Sequence, residues 1–466
     1  MASSSLGIRI RMYRVGFGDF FLVTLGEHHI IIDCGVFKGT SATGDIGSIE
    51  AAIADMVKVT NKKLALIVMT HRHADHIAGF GRFVDVFRDF TVDAVWMPAW
   101  EDEYNPTAKK FQAEMTALAT QMQAQLDLHL AAGATVDPEL YHRIGNATGN
   151  EPELAAAGGG GSKNAIALDL LKTGLKVKPA YLKEGDPAPL PASLKSIGLS
   201  VQVLGPPPVE DVELMKLMDL KKNVGEFLAI ASGGDDADGD WEPFSRAWYA
   251  DPSELESSAF GEWISDRGRS ESPSPAAVAS ARKELEKRLQ AAAPSALDLA
   301  AKQLDAFLNN QSLVLLFTYK GKNLLFVGDA QGGNWEHWLY ETDSADKAPT
   351  GPIAAKAKKI LDTIDVYKVG HHGSTNATPI AVAREIREGS VALCSTQKGV
   401  YGSKPDTAVP LAKLIDALDE RVELVRSDQH PITVGSKKVR AEVNRDLPEK
   451  TDGTLTPGQL WIDYAL

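Results

Sequence analysis

Residues 70–80 read THRHADHIAGF. His71, His73, Asp75 and His76 fall within six positions, in a chain of 466 residues that has 11 histidines. The apolar run before them, KLALIVMT (63–70), has the length of a short strand, and IAGFGRFVDVF (77–87) after them has helical character. Strand ends that open into loops are where a scaffold displays a site. His71 and His73 alternate, so a short loop can aim both at one ion. Asp75 and His76 stand at the start of the helix and can face a second ion. Imidazole and carboxylate together suit zinc, manganese or iron.

The same strand-end position recurs along the chain. IIIDCG (30–35) is a buried strand ending in Asp33, and QSLVLLFTYKGKNLLFVGDA (311–330) is a hairpin turned at Lys320-Gly321-Lys322 and ending at Asp329. IDVYKVGHHGS (364–374) is a strand ending in His371 and His372. Two neighbouring ions need two ligand sets and a shared carboxylate, which Asp329 can supply, and a late histidine can close the second set. An ion pair of this kind lowers the pKa of a bridging water and clamps attacking and leaving oxygens. His28, His29, His129, His142, His337 and His430 have no such company and read as packing or surface residues.

Around these motifs the pattern is strand-rich. IRIRMYRV, FFLVTL, VDAVWMPAW, LSVQVLGPPP (199–208), SVALCS, ELVRSD and KKVRAEV read as strands, with helices over 48–60, 164–173 and 407–418. Two stretches differ. From Tyr104, residues Phe111, Met115, Leu118, Met122 and Leu126 step by four, three, four and four, which predicts one amphipathic helix over 105–131 before a glycine run at 158–161. Residues 209–294 hold the acidic run GGDDADGD (233–240), a Ser/Pro stretch (270–275) and a charged helix at 276–290. The acidic run lacks the twelfth-position Glu of a calcium loop and reads as solvated.

Net charge is −13, from 49 basic and 62 acidic residues, which weighs against tight nonspecific binding to a nucleic-acid backbone. A locally positive metal site within an acidic protein still leaves a nuclease open. Two cysteines, Cys34 and Cys394, end strand-like runs and exclude a disulfide framework. The N-terminus MASSSLGIRIRMYRV has no signal-peptide h-region and no run of 18 apolar residues occurs, so the cytoplasm and no membrane contact are expected.

Strand, HxHxDH, a later Asp and a final His resemble the metallo-β-lactamase superfamily. More narrowly, VGFGDFFLV (15–23), IIIDCG, NNQSLVLLFTYKGKNLLFVGDA, DVYKVGHHGS and VYGSKP (400–405) resemble the soluble hydrolase domain of ComEC-type DNA-uptake proteins and their stand-alone relatives. The resemblance implies an α/β (α+β) fold, a four-layer αββα sandwich with helical insertions: a core over about 1–103, 199–208 and 305–445, one insertion at 104–198 and a second, partly flexible, at 209–304. It implies a metal-dependent hydrolase with two divalent ions, Zn or Mn, most simply a phosphodiesterase or nuclease acting through a metal-bridging hydroxide on DNA or RNA.

Carried over residue by residue, His71 and His73 hold the first ion. Asp75, His76 and His372 hold the second, and Asp329 bridges. Asp75 also orients the attacking hydroxide, and His371 contacts the scissile phosphate or protonates the leaving group. Asp33, Asn310, Ser312, Ser374 and Lys404 are outer-shell or substrate residues. The chain departs from the pattern twice. Asn309 and Asn310 stand where many members place a third histidine for the first ion, which leaves that site weaker or suited to a harder ion such as Mn²⁺. Ser403-Lys404 replaces a histidine of a later motif. Two other functions stay open: hydrolysis of a small ester, lactone or thioester, and a subunit of a bacterial assembly whose insertions bind a partner or a second copy.

Overall fold

A computed structural model describes residues 7–37, 48–131, 137–148, 162–211, 215, 297–298, 300–341, 352–376, 378–402, 408–429, 454–457 and 460–466. Ser403-Lys404, His430, the glycine run, the acidic run, the charged helix and the KKVRAEV strand lie outside them, as do the side chains of His129 and His142.

Strand alternation builds the layers. In β1 (Ile8–Tyr13), β2 (Phe20–Leu25) and β3 (His28–Cys34), the residues Ile8, Ile10, Met12, Phe21, Val23, Ile30 and Ile32 face one apolar cluster. Their neighbours Tyr13, Phe20, Leu22, Ile31 and Cys34 face another. Successive side chains on a strand point to opposite faces, so a strand apolar on both faces must be covered on both. Each fully buried Leu, Ile or Phe contributes about 1.5–3 kcal/mol relative to an exposed one.

The remaining strands are β4 (Lys63–Leu64), β5 (Leu66–Val68), β6 (Thr91–Val92), β7 (Val95–Pro98), β8 (Ala180–Leu182), β9 (Ser200–Gly205), β10 (Val314–Tyr319), β11 (Lys322–Phe326), β12 (Val366–Lys368), β13 (Val391–Cys394), β14 (Glu423–Arg426), β15 (Thr454–Pro457) and β16 (Trp461–Ala465). One sheet runs β15-β16-β1-β2-β3-β5-β7-β8, the other β14-β13-β12-β11-β10-β9, and β4 pairs with β6 apart from both. The two large sheets close face to face on a shared core of Phe21, Val68 and Trp96 from one and Phe317, Phe326 and Val391 from the other. Helices Ile49–Thr60 and Ala74–Arg82 cover the outer face of the first sheet. Helices Gly332–Tyr340, Ala355–Leu361 and Ala412–Asp419 cover that of the second. The architecture is a four-layer αββα sandwich of mixed sheets.

Several boundaries differ from the sequence reading. The run 63–70 is broken at Ala65, with its first two residues pairing away from the main sheet. The late helix starts at Ala412 rather than near 407. Strand β8, within 104–198, forms one edge of the first sheet, and β16 pairs with β1 at the other side. Among the described residues, no helix is long and apolar enough to cross a membrane.

The long helix Pro106–Ala131 buries Phe111, Met115, Leu118, Met122 and Leu126. They join Leu140 and Ile144 of helix Pro138–Thr148, and Leu304, Phe307 and Leu308 of the helix over 300–310, in one apolar cluster. Segments 106–144 and 297–308 are therefore packed together beside Trp100, with Phe111 and Phe307 edge to face at 5.8 Å.

Candidate metal centre

Strands β3, β5 and β7 run parallel, as do β11, β12, β13 and β14. Parallel strands deliver their C-terminal ends to one edge, which is where open α/β sheets bind ligands. Asp33 is the penultimate residue of β3, the loop 69–73 follows β5 and leads into the helix that carries Asp75 and His76, Asp329 follows β11, and His371-His372 follow β12. All four meet at the mouth between the sheets. Gly35 lets them close: a Cβ there would sit 2.0 Å from the Asp75 carbonyl carbon, so only glycine admits the helix Ala74–Arg82 this near to β3. The histidine pair is reached by a tight backbone turn, with His371 at φ 41° and His372 at φ 52°, a left-handed conformation costly for any residue with a Cβ.

Asp75, His76, Asp329 and His372 are all buried and place one ligand atom each within 4.8 Å of one another. His76 Nε2 lies 3.1 Å from Asp329 Oδ2, and His372 Nε2 lies 3.1 Å from Asp75 Oδ2 and 3.5 Å from Asp329 Oδ2. His71 Nε2 and His73 Nδ1 face each other at 3.0 Å beside this set. They converge on no third carboxylate, thiol or imidazole among the described residues.

The inward atoms test whether a cation fits. Asp75 Oδ1, His76 Nε2 and Asp329 Oδ2 are buried without a hydrogen-bond partner. Such atoms are costly unless something satisfies them. Electrostatics point the same way. Burial alone would lower the His76 and His372 pKa values, yet the carboxylates Asp329 and Asp19, with Asp33 at His76 and Asp75 at His372, raise both. Burial opposes charge on Asp75 and Asp329 too, and the facing imidazoles hold both below the usual carboxylate range. The field that would keep protons on these rings favours a divalent ion in their place. At His71 and His73 burial wins, and both stay below the ordinary imidazole value, neutral and able to donate lone pairs. The donor set therefore fits a divalent metal ion.

Outer groups orient the inner ones. Asp33 Oδ2 meets His76 Nδ1 at 2.7 Å and accepts from Thr70 Oγ1 at 2.6 Å, while Asp33 Oδ1 accepts from the Thr70 N–H at 2.8 Å. The loop and its third histidine are thus pinned together. His372 Nδ1 reaches the Ser395 carbonyl at 2.8 Å. Ser312 Oγ accepts from the Asp329 N–H at 3.0 Å and lies 3.3 Å from His71 Nδ1. Ser374 Oγ is 2.8 Å from His371 Nδ1. Asn310 faces away: its amide donates to the Met215 carbonyl at 3.1 Å, and its oxygen accepts from the Asn334 N–H at 3.2 Å. Asn309 is the one at the mouth, with its amide nitrogen 3.5 Å from His371 Nε2.

Four supporting residues escaped the sequence reading. Lys368, on β12 and 2 % exposed, touches Asp19, donates to the Gly328 carbonyl at 2.8 Å and meets Asp329 Oδ1 at 3.2 Å. Burial disfavours its charge, but Asp19 and Asp329 outweigh that and raise its pKa. Asp19 also holds the Asp75 carbonyl through its own N–H at 2.8 Å. Glu101 is fully buried and takes Arg72 bidentately at 2.6 and 2.7 Å, which turns the residue between His71 and His73 away from the centre. Asn146, on the helix Pro138–Thr148, accepts the Asp75 N–H at 3.1 Å. A GFGD turn and an apolar strand's lysine carry partial signals for the first two. No local signal marks Asn146, because its partner is 71 positions away.

Asn146 acts as the cap that the helix Ala74–Arg82 lacks, since His73 at its N-cap makes no side-chain bond there. Asn146→Ala is therefore expected to cost about 1 kcal/mol, the usual worth of a lost helix cap. Urea denaturation of the metal-free protein reads this; an unchanged midpoint would exclude the capping role.

A comparison with curated proteins finds no match to the chain. Residues 13–153 match the family described as the metallo-beta-lactamase superfamily, a span that opens in β1 and takes in the Asp33 strand, the HxHxDH loop and the helix that caps it. The likeness to the metallo-beta-lactamase superfamily thus covers residues 13–153; of the buried His/Asp cluster, Asp75 and His76 lie within that span and Asp329 and His372 beyond it.

Proposed function

We propose that the protein is a metal-dependent phosphodiesterase, with DNA or RNA as the first substrates to try. His71 and His73 would hold one ion, Asp75, His76 and His372 the other, and Asp329 would bridge. Bound there, divalent ions supply a nucleophile made from water near neutral pH and a clamp for the attacking and leaving oxygens.

The observation that carries the reading is the surroundings of His371. The other imidazoles of the centre are buried, while His371 is partly exposed beside them. Around it stand neutral polar groups: Gln331 Nε2 at 3.2 Å, Ser374 Oγ at 2.8 Å, Asn376 Oδ1 at 2.9 Å and the Asn309 amide. The donors among them, the Gln331 and Asn309 amide nitrogens, suit the non-bridging oxygens of a phosphodiester, and an imidazole with solvent access can give a proton to the leaving oxygen. Asp75 keeps one carboxylate oxygen unpartnered toward the centre, where it can orient the incoming water. The likeness of the motif set to ComEC-type hydrolase domains supports the same substrate class.

Purified protein with Mn²⁺ or Zn²⁺ and labelled single- and double-stranded oligonucleotides tests this. Cleavage is expected, and His73→Ala should abolish it. No cleavage by wild type with either metal would sink the nuclease reading. His371→Ala should lower kcat by about 10²–10⁴-fold, the range for a lost general acid, with metal content unchanged.

A second reading rests on a different wall of the site. The Phe17 ring lies 4.3 Å from the His372 ring, tilted by 47°, and with Phe37, Tyr401 and Val409 it forms an apolar cluster. Such a surface suits the acyl part of an ester, lactone or thioester. A screen of those compounds against small phosphodiesters separates the two.

A further inference from the structure

We propose that Asp305, on the 300–310 helix that ends the second insertion, is the positioning residue of His73. The inference rests on the two-ion reading above.

Each imidazole of the centre has one nitrogen turned inward and one turned outward. For His76 the outward nitrogen is Nδ1, on Asp33 at 2.7 Å; for His372 it is Nδ1, on the Ser395 carbonyl at 2.8 Å. For His71 it is Nδ1, between Thr70 Oγ1 at 3.2 Å and Ser312 Oγ at 3.3 Å. His73 is turned the other way round. Its Nδ1 faces His71 Nε2, so its outward nitrogen is Nε2. That atom is buried and makes no hydrogen bond, and the acceptor it faces is Asp305 Oδ1 at 3.6 Å.

An ion held by Nδ1 leaves the proton of a neutral ring on Nε2, and a buried N–H needs an acceptor. Asp305 is the carboxylate in reach. Its other oxygen, Oδ2, accepts from Asn309 Nδ2 at 3.3 Å, and that amide in turn lies beside His371 Nε2. Leu304, Phe307 and Leu308, packed into the insertion cluster, hold the helix in place. A carboxylate behind a ligating histidine fixes its tautomer and raises its basicity, and loss of such a partner weakens metal binding by about 10–100-fold. The effect matters most at the first ion, which lacks a third imidazole.

The test is titration of metal-stripped wild type, Asp305→Asn and Asp305→Glu with Co²⁺, read by calorimetry and by the visible d–d bands. Wild type should take two equivalents. Asp305→Asn should keep the tighter equivalent unchanged, weaken the other by about 10–100-fold and shift its bands; Asp305→Glu should recover most of the affinity. An unchanged second equivalent in Asp305→Asn overturns the proposal and leaves the two-ion reading standing. So does equal weakening of both equivalents, which would mark a general structural defect. Complete loss of the second equivalent alone would make Asp305 a ligand rather than a positioning group. One equivalent in wild type overturns both this role and the two-ion reading.

Discussion

On the two-ion reading proposed above, Asp329→Ala is expected to lose both ions on dialysis and to fall in turnover by more than the 10–100-fold that removal of an outer-shell partner produces. The reason is the number of roles that meet in one side chain. Asp329 Oδ2 stands 3.1 Å from His76 Nε2 and 3.5 Å from His372 Nε2, aimed into the cluster with no hydrogen bond of its own. Oδ1 is held from behind by the His371 N–H at 3.0 Å and by Lys368 at 3.2 Å. Among the described residues Asp329 is the carboxylate that this cluster takes from the second sheet, so alanine leaves Asp75, His76 and His372 without it. Metal analysis of the purified variant, with circular dichroism to show that it is folded, decides the matter. A variant that retains two equivalents would show that Asp329 does not bridge.

Lys368→Met is expected to destabilise the metal-free protein by about 3–5 kcal/mol, the usual cost of removing one partner from a buried ion pair. The side chains of Lys368 and Asp19 are each 2 % exposed, and that of Asp329 is 1 % exposed, so water cannot take over the role of the ammonium. Methionine matches the length of the lysine stem and leaves little cavity, so the loss reports charge rather than packing. Guanidinium denaturation reads it. Asp19→Asn in the same chain should recover part of the loss, because the two groups are in direct contact and their effects are not additive. A midpoint within error of wild type would mean that the lysine is a bystander.

The strands were legible because they are apolar on both faces, and the long helix because its apolar residues step at helical spacing. Both properties are local. The polar residues where strands give out were legible for a related reason: a buried apolar run has no use for His or Asp as it ends, so Asp33, His71, His76, Asp329 and His372 stand out at or just after such runs. What a residue's neighbours in the chain do not carry is the identity of its neighbours in space. Asn309 and Asn310 are adjacent and chemically identical, yet one faces His371 and the other is tied to Met215 and Asn334. Helical rotation of about 100° per residue separates them, and only the docked helix decides which faces the mouth.

The same division runs through the whole protein. The sequence by itself determined a layered α/β chain with a metal-type histidine motif at a strand end. It also determined a pair of companion motifs about 260 and 300 positions later. The tertiary structure decided which nitrogen of each imidazole turns inward, that Lys368 neutralises Asp19 and Asp329 from behind, and that the helices Pro138–Thr148 and 300–310 reach the centre through Asn146 and Asp305. The Asn146–Asp75, Asp305–His73 and Lys368–Asp19 contacts join segments 71, 232 and 349 positions apart. Burial makes them matter: an unpaired charge or N–H there has no water to turn to, so the groups that satisfy it are drawn from wherever the fold brings them near.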